Sequence, residues 1–267
     1  MRYMRFAVLL FILFLVGCRN NAVAPEHTTE LIEYETITFV PEIVYDAGRD
    51  IIVLETQNFA LRYYGNDDQV IVAIADALES SFERITGILG VVPPGPTHVY
   101  IHASQEDFHH AIGMPGLGER AVGVSMVTGE IILASPNNAG PVHDFNSMIK
   151  IAVHEFVHTA ARVLSFRTTA MHPHLSEGLA MYFANQYETV ADTITQMRSN
   201  QAIPSVDRII GMTAGEGVYQ VGFAFIQFIV AEFGYDELVA LYSNPREFVQ
   251  SNAGLNDMWM DFLYENY

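Results

Sequence analysis

The segment His154-Glu155-Phe156-Val157-His158 lies in a stretch, 147–164, that has helical apolar periodicity and contains neither Gly nor Pro. On a helix, residues four apart share a face one turn apart, so both imidazoles can reach one metal ion. Glu155 stands beside that face, placed to handle a water molecule on the metal. Taken alone, two His and a Glu at this spacing also describe two partly exposed histidines on an ordinary helix. A second segment tips the balance. Leu175-Ser176-Glu177-Gly178-Leu179-Ala180-Met181-Tyr182-Phe183-Ala184 opens another amphipathic helix, with Leu175, Leu179, Tyr182 and Phe183 apolar. Between His158 and Glu177 lie 18 residues, enough for one helix to end and an antiparallel one to begin. The Glu177 carboxylate can then face the histidines as a third ligand. Two His and one Glu leave a fourth tetrahedral position for water, the donor set of a catalytic zinc. One zinc ion per chain is the expected cofactor.

Over about residues 145–188 the chain resembles the gluzincin metallopeptidases, the thermolysin-like and aminopeptidase-like group. Their pattern is HExxH followed by a helix bearing a Glu in an N/S-E-G-x-A context, here Ser176-Glu177-Gly178-Leu179-Ala180. The resemblance implies zinc on His154, His158 and Glu177, Glu155 as general base, and a peptide or protein as substrate. It also implies an oxyanion donor, often a Tyr or His of a later helix. Tyr219, just after the glycine-bearing 213–217, is the candidate; the alternative is a tyrosine packing a helix end. Two features depart from the family. The Gly-x-Met-Glu-Asn sequence of its aminopeptidases is absent, and Thr128-Gly129-Glu130 reads as a hairpin turn rather than an amine-binding site. The Asp that thermolysin-like members place four residues after the ligand Glu is Met181 here, so another residue must hold His154. Ile131-Ile132-Leu133-Ala134 is either the edge strand that pairs with an extended substrate or an interior strand. His172 and His174, flanking Pro173, read as loop histidines that are solvated or cap a helix, the alternative being that they line the cleft or compete as ligands, and His102, His109 and His110 lack ligand spacing.

Met1 to Arg5 is a basic start, Phe6 to Val16 an unbroken apolar run, and Leu15-Val16-Gly17-Cys18 looks like a bacterial lipobox. The run is too short for a mature transmembrane helix but suits a secretory signal. Residues 1–17 therefore read as a lipoprotein signal peptide, with Cys18, the chain's only cysteine, as the lipidated residue. Residues 18–49 read as the tether, and the expected location is extracytoplasmic, anchored to a bacterial membrane. Loss of 1–17 leaves 31 acidic and 11 basic residues and moves the net charge from −18 to −20. So acidic a chain argues against nucleic-acid partners.

Residues 50–267 read as one metallopeptidase-like domain. Residues 51–64 are rich in β-branched and aromatic types and read as strand, 66–89 as helix, 97–102 as strand, and 104–112 as a short helix. A hairpin follows over 122–127 and 130–134, then helices over 145–165, 174–188, 190–200, 217–233, 235–243 and near 255–265. Strands and helices first, then helices only, is an α+β arrangement: a sheet lobe over about 50–143 and a helical lobe over about 144–267. The resemblance places the site between them. Two rival readings stay open: a peptidase-fold lipoprotein serving as a binding or scaffold protein, and zinc-assisted hydrolysis of another amide, as in the cell wall.

Overall fold

The computed structural model describes residues 42–46, 49–65 and 67–267. The signal segment and Cys18 lie outside the described residues. The chain is α+β. Its sheet is assembled from β1 (Glu42–Asp46), β2 (Arg49–Glu55), β3 (Phe59–Tyr64), β4 (Thr97–His102), β5 (Gly123–Ser125) and β6 (Ile131–Ala134). The spatial order is β1-β2-β3-β4-β6-β5. β1 lies in the stretch read as tether, and the strand structure expected over 51–64 is two strands of an antiparallel hairpin turning after Glu55. β3, β4 and β6 run parallel, and β5 closes the sheet antiparallel to β6. Ile131–Ala134 is thus interior. The outer edge on this side belongs to β5.

Helix α1 (Asp68–Leu89) connects β3 to β4, and α2 (Gln105–Ala111) leads toward the β5–β6 hairpin. Asp67 caps α1 by accepting from the Gln69 N–H, and Gly90 ends it at a φ of 63°, a left-handed position that glycine takes without steric cost. The remainder is helical: α3 (Phe145–Leu164), α4 (Phe166–Met171), α5 (Pro173–Phe183), α6 (Val190–Ser199), α7 (Val206–Ile209), α8 (Val218–Phe233), α9 (Tyr235–Ser243), α10 (Pro245–Ser251) and α11 (Leu255–Asn266). The helix expected over 174–188 stops at Phe183, and α4, α7 and α10 are short helices that the apolar pattern did not single out. Among the described residues no helix is long and apolar enough to cross a membrane.

Three contacts fix the site helices. Asp144 and Ser147 form a reciprocal capping box at the start of α3. Further along, Phe156 packs edge-on against Phe59 of β3 at 5.0 Å and stacks near Phe82 of α1 at 5.6 Å. At about 100° per residue, Phe156 points opposite the mean direction of His154 and His158. Seating Phe156 in the sheet–helix core therefore turns both imidazoles away from the sheet, toward α5. On its far side α5 crosses α8 at Gly178 and Gly222. A Cβ on Gly178 would meet the Gly222 carbonyl carbon at 2.2 Å, and one on Gly222 would meet the His174 carbonyl oxygen at 2.2 Å. Only two glycines let these backbones approach so closely.

Gly222→Ala should accordingly lower unfolding free energy by about 3 kcal/mol or more, the upper range for overpacking against unyielding backbone. Urea denaturation checks this, and a change under about 0.5 kcal/mol, typical of a neutral surface site, would contradict the close crossing.

Candidate metal centre

α3 is buried without interruption from Ile151 to Ala161, which places His154, Glu155 and His158 inside the protein at 0%, 1% and 6% exposure. Glu177, 6% exposed, projects from the middle of α5. The Nε2 atoms of His154 and His158 are 3.1 Å apart, and Glu177 Oε2 lies 3.3 Å from the first and 3.5 Å from the second. Three donors bound tetrahedrally to zinc, at the usual 2.0–2.1 Å, are about 3.3 Å apart. The residues present fit that ion. The structure thus brings together all three sequence-predicted ligands in one buried cluster.

The outer nitrogens of the histidines are engaged as well. His154 Nδ1 donates to the Gln186 side-chain oxygen at 2.7 Å, and His158 Nδ1 lies 3.1 Å from Ser176 Oγ. With its Nδ1 proton pointed outward, the neutral form of His154 turns the lone pair of Nε2 into the cluster, and the protonated form donates from Nε2 to Glu177. Gln186, just beyond α5, fills the outer position that Met181 cannot; Met181 is itself buried in the core. Sequence reasoning missed Gln186. Its only signal is local, a polar residue immediately past the ligand helix, and its pairing with His154 spans 32 positions.

Electrostatics separates the carboxylates. Burial alone would raise Glu177, but the His158 charge and hydrogen bonds from both histidines outweigh it and hold the carboxyl down at about 2. His154 shows the complement: burial works to lower it, and the bond and charge of Glu177 raise it above its ordinary value. Burial pushes Glu155 up, opposed by the two histidines and Arg162 and reinforced by the Glu177 charge. Its Oε1 is buried and has no hydrogen-bond partner. A carboxyl group in this state, beside the three-donor cluster, is poised to take a proton.

β5 lies along this helix. A Cβ on Gly123 would come within 2.8 Å of Ile151 Cγ2 and 3.3 Å of Glu155 Cγ, so the strand presses on the helix beside the base. Arg162, two turns beyond Glu155, donates to the backbone oxygens of Met126 at 2.6 Å and Ser125 at 3.3 Å. Val122 and Met126 bond toward β6 and the hairpin turn, at Ala134 and Glu130. Strand alternation then directs the backbone groups of Gly123 and Ser125 away from the sheet.

The other candidates fall elsewhere. Glu130 sits in the hairpin turn, hydrogen-bonded by Thr128. Tyr219 is in the first turn of α8, half-buried against the core. His172 and His174 are not solvated loop residues: Pro173 begins α5 and both side chains are buried. His172 Nδ1 donates to the Ile210 carbonyl at 2.7 Å, whereas neither ring nitrogen of His174 has a partner. Burial, with the charge of Arg208, lowers His174 from 6.5 to about 4. Comparison with known proteins finds no family that matches this chain and no curated protein that matches it.

His174 carries a pH dependence. The unfolded chain takes up its proton below 6.5 and the folded chain only near 4, so stability is lost as pH falls through that window. The gap corresponds to roughly 3 kcal/mol at most. His174→Phe should flatten the acid limb of a stability profile between those values, as read by urea denaturation. An unchanged limb would mean that His174 is protonated freely in the folded protein.

Proposed function

We propose that this chain is a zinc-dependent metallopeptidase of gluzincin type. The observation that carries the reading is the convergence of His154 Nε2, His158 Nε2 and Glu177 Oε2 beside Glu155, whose buried Oε1 has no hydrogen-bond partner. The helical remainder and the small sheet then act as two lobes flanking the centre. When bound, zinc lowers the pKa of a coordinated water and polarises the scissile carbonyl.

The chain's own residues do the rest. His154, His158 and Glu177 hold the ion, and Glu177 offsets part of its charge. Glu155 accepts the water proton at its free oxygen and returns it to the leaving amine. Its raised pKa suits both transfers, because the group must be a base in one step and an acid in the next. An extended peptide lies along β5, pairing with the outward backbone groups of Gly123 and Ser125. Gly123 has no side chain to keep that peptide from Glu155. Arg162 holds the far end of the strand and occupies the Ser125 carbonyl, which limits the ladder there. Tyr219 is assigned the oxyanion-donor role. The lipobox ending at Cys18 places the enzyme on the outer side of a bacterial membrane as a lipoprotein.

Glu155→Gln and Glu177→Gln separate the roles, since each keeps size and removes one charge. Glu155→Gln should bind zinc like the parent and lose roughly 10²–10⁴-fold in peptide hydrolysis. Glu177→Gln should lose zinc affinity first and activity as a consequence. Metal analysis and peptide-mixture cleavage read both. If both variants keep parental zinc binding and the parent cleaves nothing, the peptidase reading fails and a binding lipoprotein is the better account.

Tyr219→Phe should lower kcat with KM nearly unchanged, because an oxyanion donor acts mainly in the transition state. An unchanged rate would leave Tyr219 as packing.

A further inference from the structure

Lys150 is the only lysine in the chain, and it stands four residues before His154 on α3, so the two side chains share one face a turn apart. The segment that follows α5 lies across that face. Lys150 Nζ donates to the Asn185 carbonyl oxygen at 2.9 Å and to the Glu188 carboxylate, and it stands 5.5 Å from the centre of the Tyr187 ring. Between those contacts Gln186 turns inward to meet His154 Nδ1 at 2.7 Å. Asn185, Tyr187 and Glu188 are exposed, and Gln186 alone of the four is buried.

The backbone at this point reverses direction. Asn185 has a φ of 54°, in the left-handed region. The Gln186 N–H donates back to the Met181 carbonyl at 3.0 Å and the Asn185 N–H to the Tyr182 carbonyl at 3.3 Å. This pairing turns a chain back at a helix C-terminus, with glycine or asparagine at the left-handed position. It sets the direction of the chain but not the depth at which Gln186 sits. A lysine ammonium has three N–H donors and no acceptor, so it grips the Asn185 carbonyl and the Glu188 carboxylate at once. The two attachments bracket Gln186, one residue before it and two after. A bracketed backbone leaves only the side-chain entropy of Gln186 to be met by its bond to His154.

We propose that Lys150 is a positioning residue for the metal centre: by gripping Asn185 and Glu188 it seats Gln186 on His154 and so fixes the orientation of that imidazole. This inference rests on the metal reading of the cluster and extends it to a side chain that lies outside the cluster. The Lys150 and Glu188 side chains are 35% and 57% exposed. An ion pair so open to solvent adds little to stability by itself, so its removal should tell mainly on what the turn carries.

The test uses Lys150→Met, which keeps length and removes the donors, and Lys150→Arg, which restores a cation with donors. Zinc affinity is measured by competition with a chromophoric chelator, and amide hydrogen exchange is followed in the metal-free protein. Lys150→Met should weaken zinc binding about tenfold, the lower end of the range for outer partners of a ligand histidine. Exchange at the Gln186 amide should quicken while amides in the middle of α3 keep their parental rates. Lys150→Arg should recover most of both. Because Lys150 acts through Gln186, adding Lys150→Met to Gln186→Leu should cost no further affinity, whereas adding it to Ser176→Ala, which acts on His158, should multiply the losses. Parental affinity in Lys150→Met or in Gln186→Leu overturns the proposal. So does a multiplicative loss on the Gln186→Leu background, or a loss of affinity with Gln186 exchange unchanged. Should the parent bind no zinc, the metallopeptidase reading fails, and exchange at Gln186 still decides whether Lys150 seats that residue: faster exchange in Lys150→Met upholds the grip and an unchanged rate overturns it.

Discussion

Three electron-pair donors held 3.1 to 3.5 Å apart inside a protein repel one another unless something positive lies among them. That constraint governs the structure around α3 and α5. A proton shared by His154 and Glu177 gives partial relief, and the opposed shifts of the two groups express it. A divalent cation satisfies all three donors together. On the proposed metal reading, binding of the ion would then be coupled to stability.

Holding such a cluster together takes firm walls on both sides. Phe156, wedged between Phe59 and Phe82, fixes the rotation of α3 from the sheet side. The Gly178–Gly222 crossing fixes α5 against α8 from the other. Neither contact involves a ligand, yet each sets where one ligand helix sits. The residues nearest the chemistry are in this sense the least autonomous: His154, His158 and Glu177 stay in place because apolar and backbone contacts behind them leave their helices nowhere else to go.

Legibility followed sequence distance. The pair His154 and His158 is visible because one helical turn relates them, and Glu177 because its neighbours repeat a compact local pattern. The α+β order was equally open to reading, since long amphipathic stretches announce α1, α3 and α8. What stayed hidden depends on tertiary partners. Nothing near Gln186 says that it will reach His154, and Tyr242 is one apolar-face residue among many until Thr169 is beside it. Strand order is likewise non-local: Ile131–Ala134 and Gly123–Ser125 form one hairpin, and only pairing with β4 decides which is the edge. Pro173 misled for a simpler reason. Proline marks a loop and the first turn of a helix equally well, and here it starts α5 and carries His174 into the interior.

The same geometry separates holding a metal from using it. Each histidine of the cluster is tied on its far side, His154 to the Gln186 amide oxygen and His158 to the Ser176 hydroxyl. Glu177 is tied by the histidines themselves. Glu155 is the exception: equally buried, one residue from a ligand, and left with an oxygen that nothing satisfies. An unpaired buried carboxylate is costly, and a protein that only stored a metal would gain stability by capping it with a donor or replacing it with an apolar residue. Gly123 instead lets the edge strand pack directly on α3 beside it, where a Cβ would meet Ile151 and Glu155. The proposed hydrolysis of an extended chain would need such a carboxyl group beside the cluster and a strand edge with outward backbone groups, whereas simple binding would need neither.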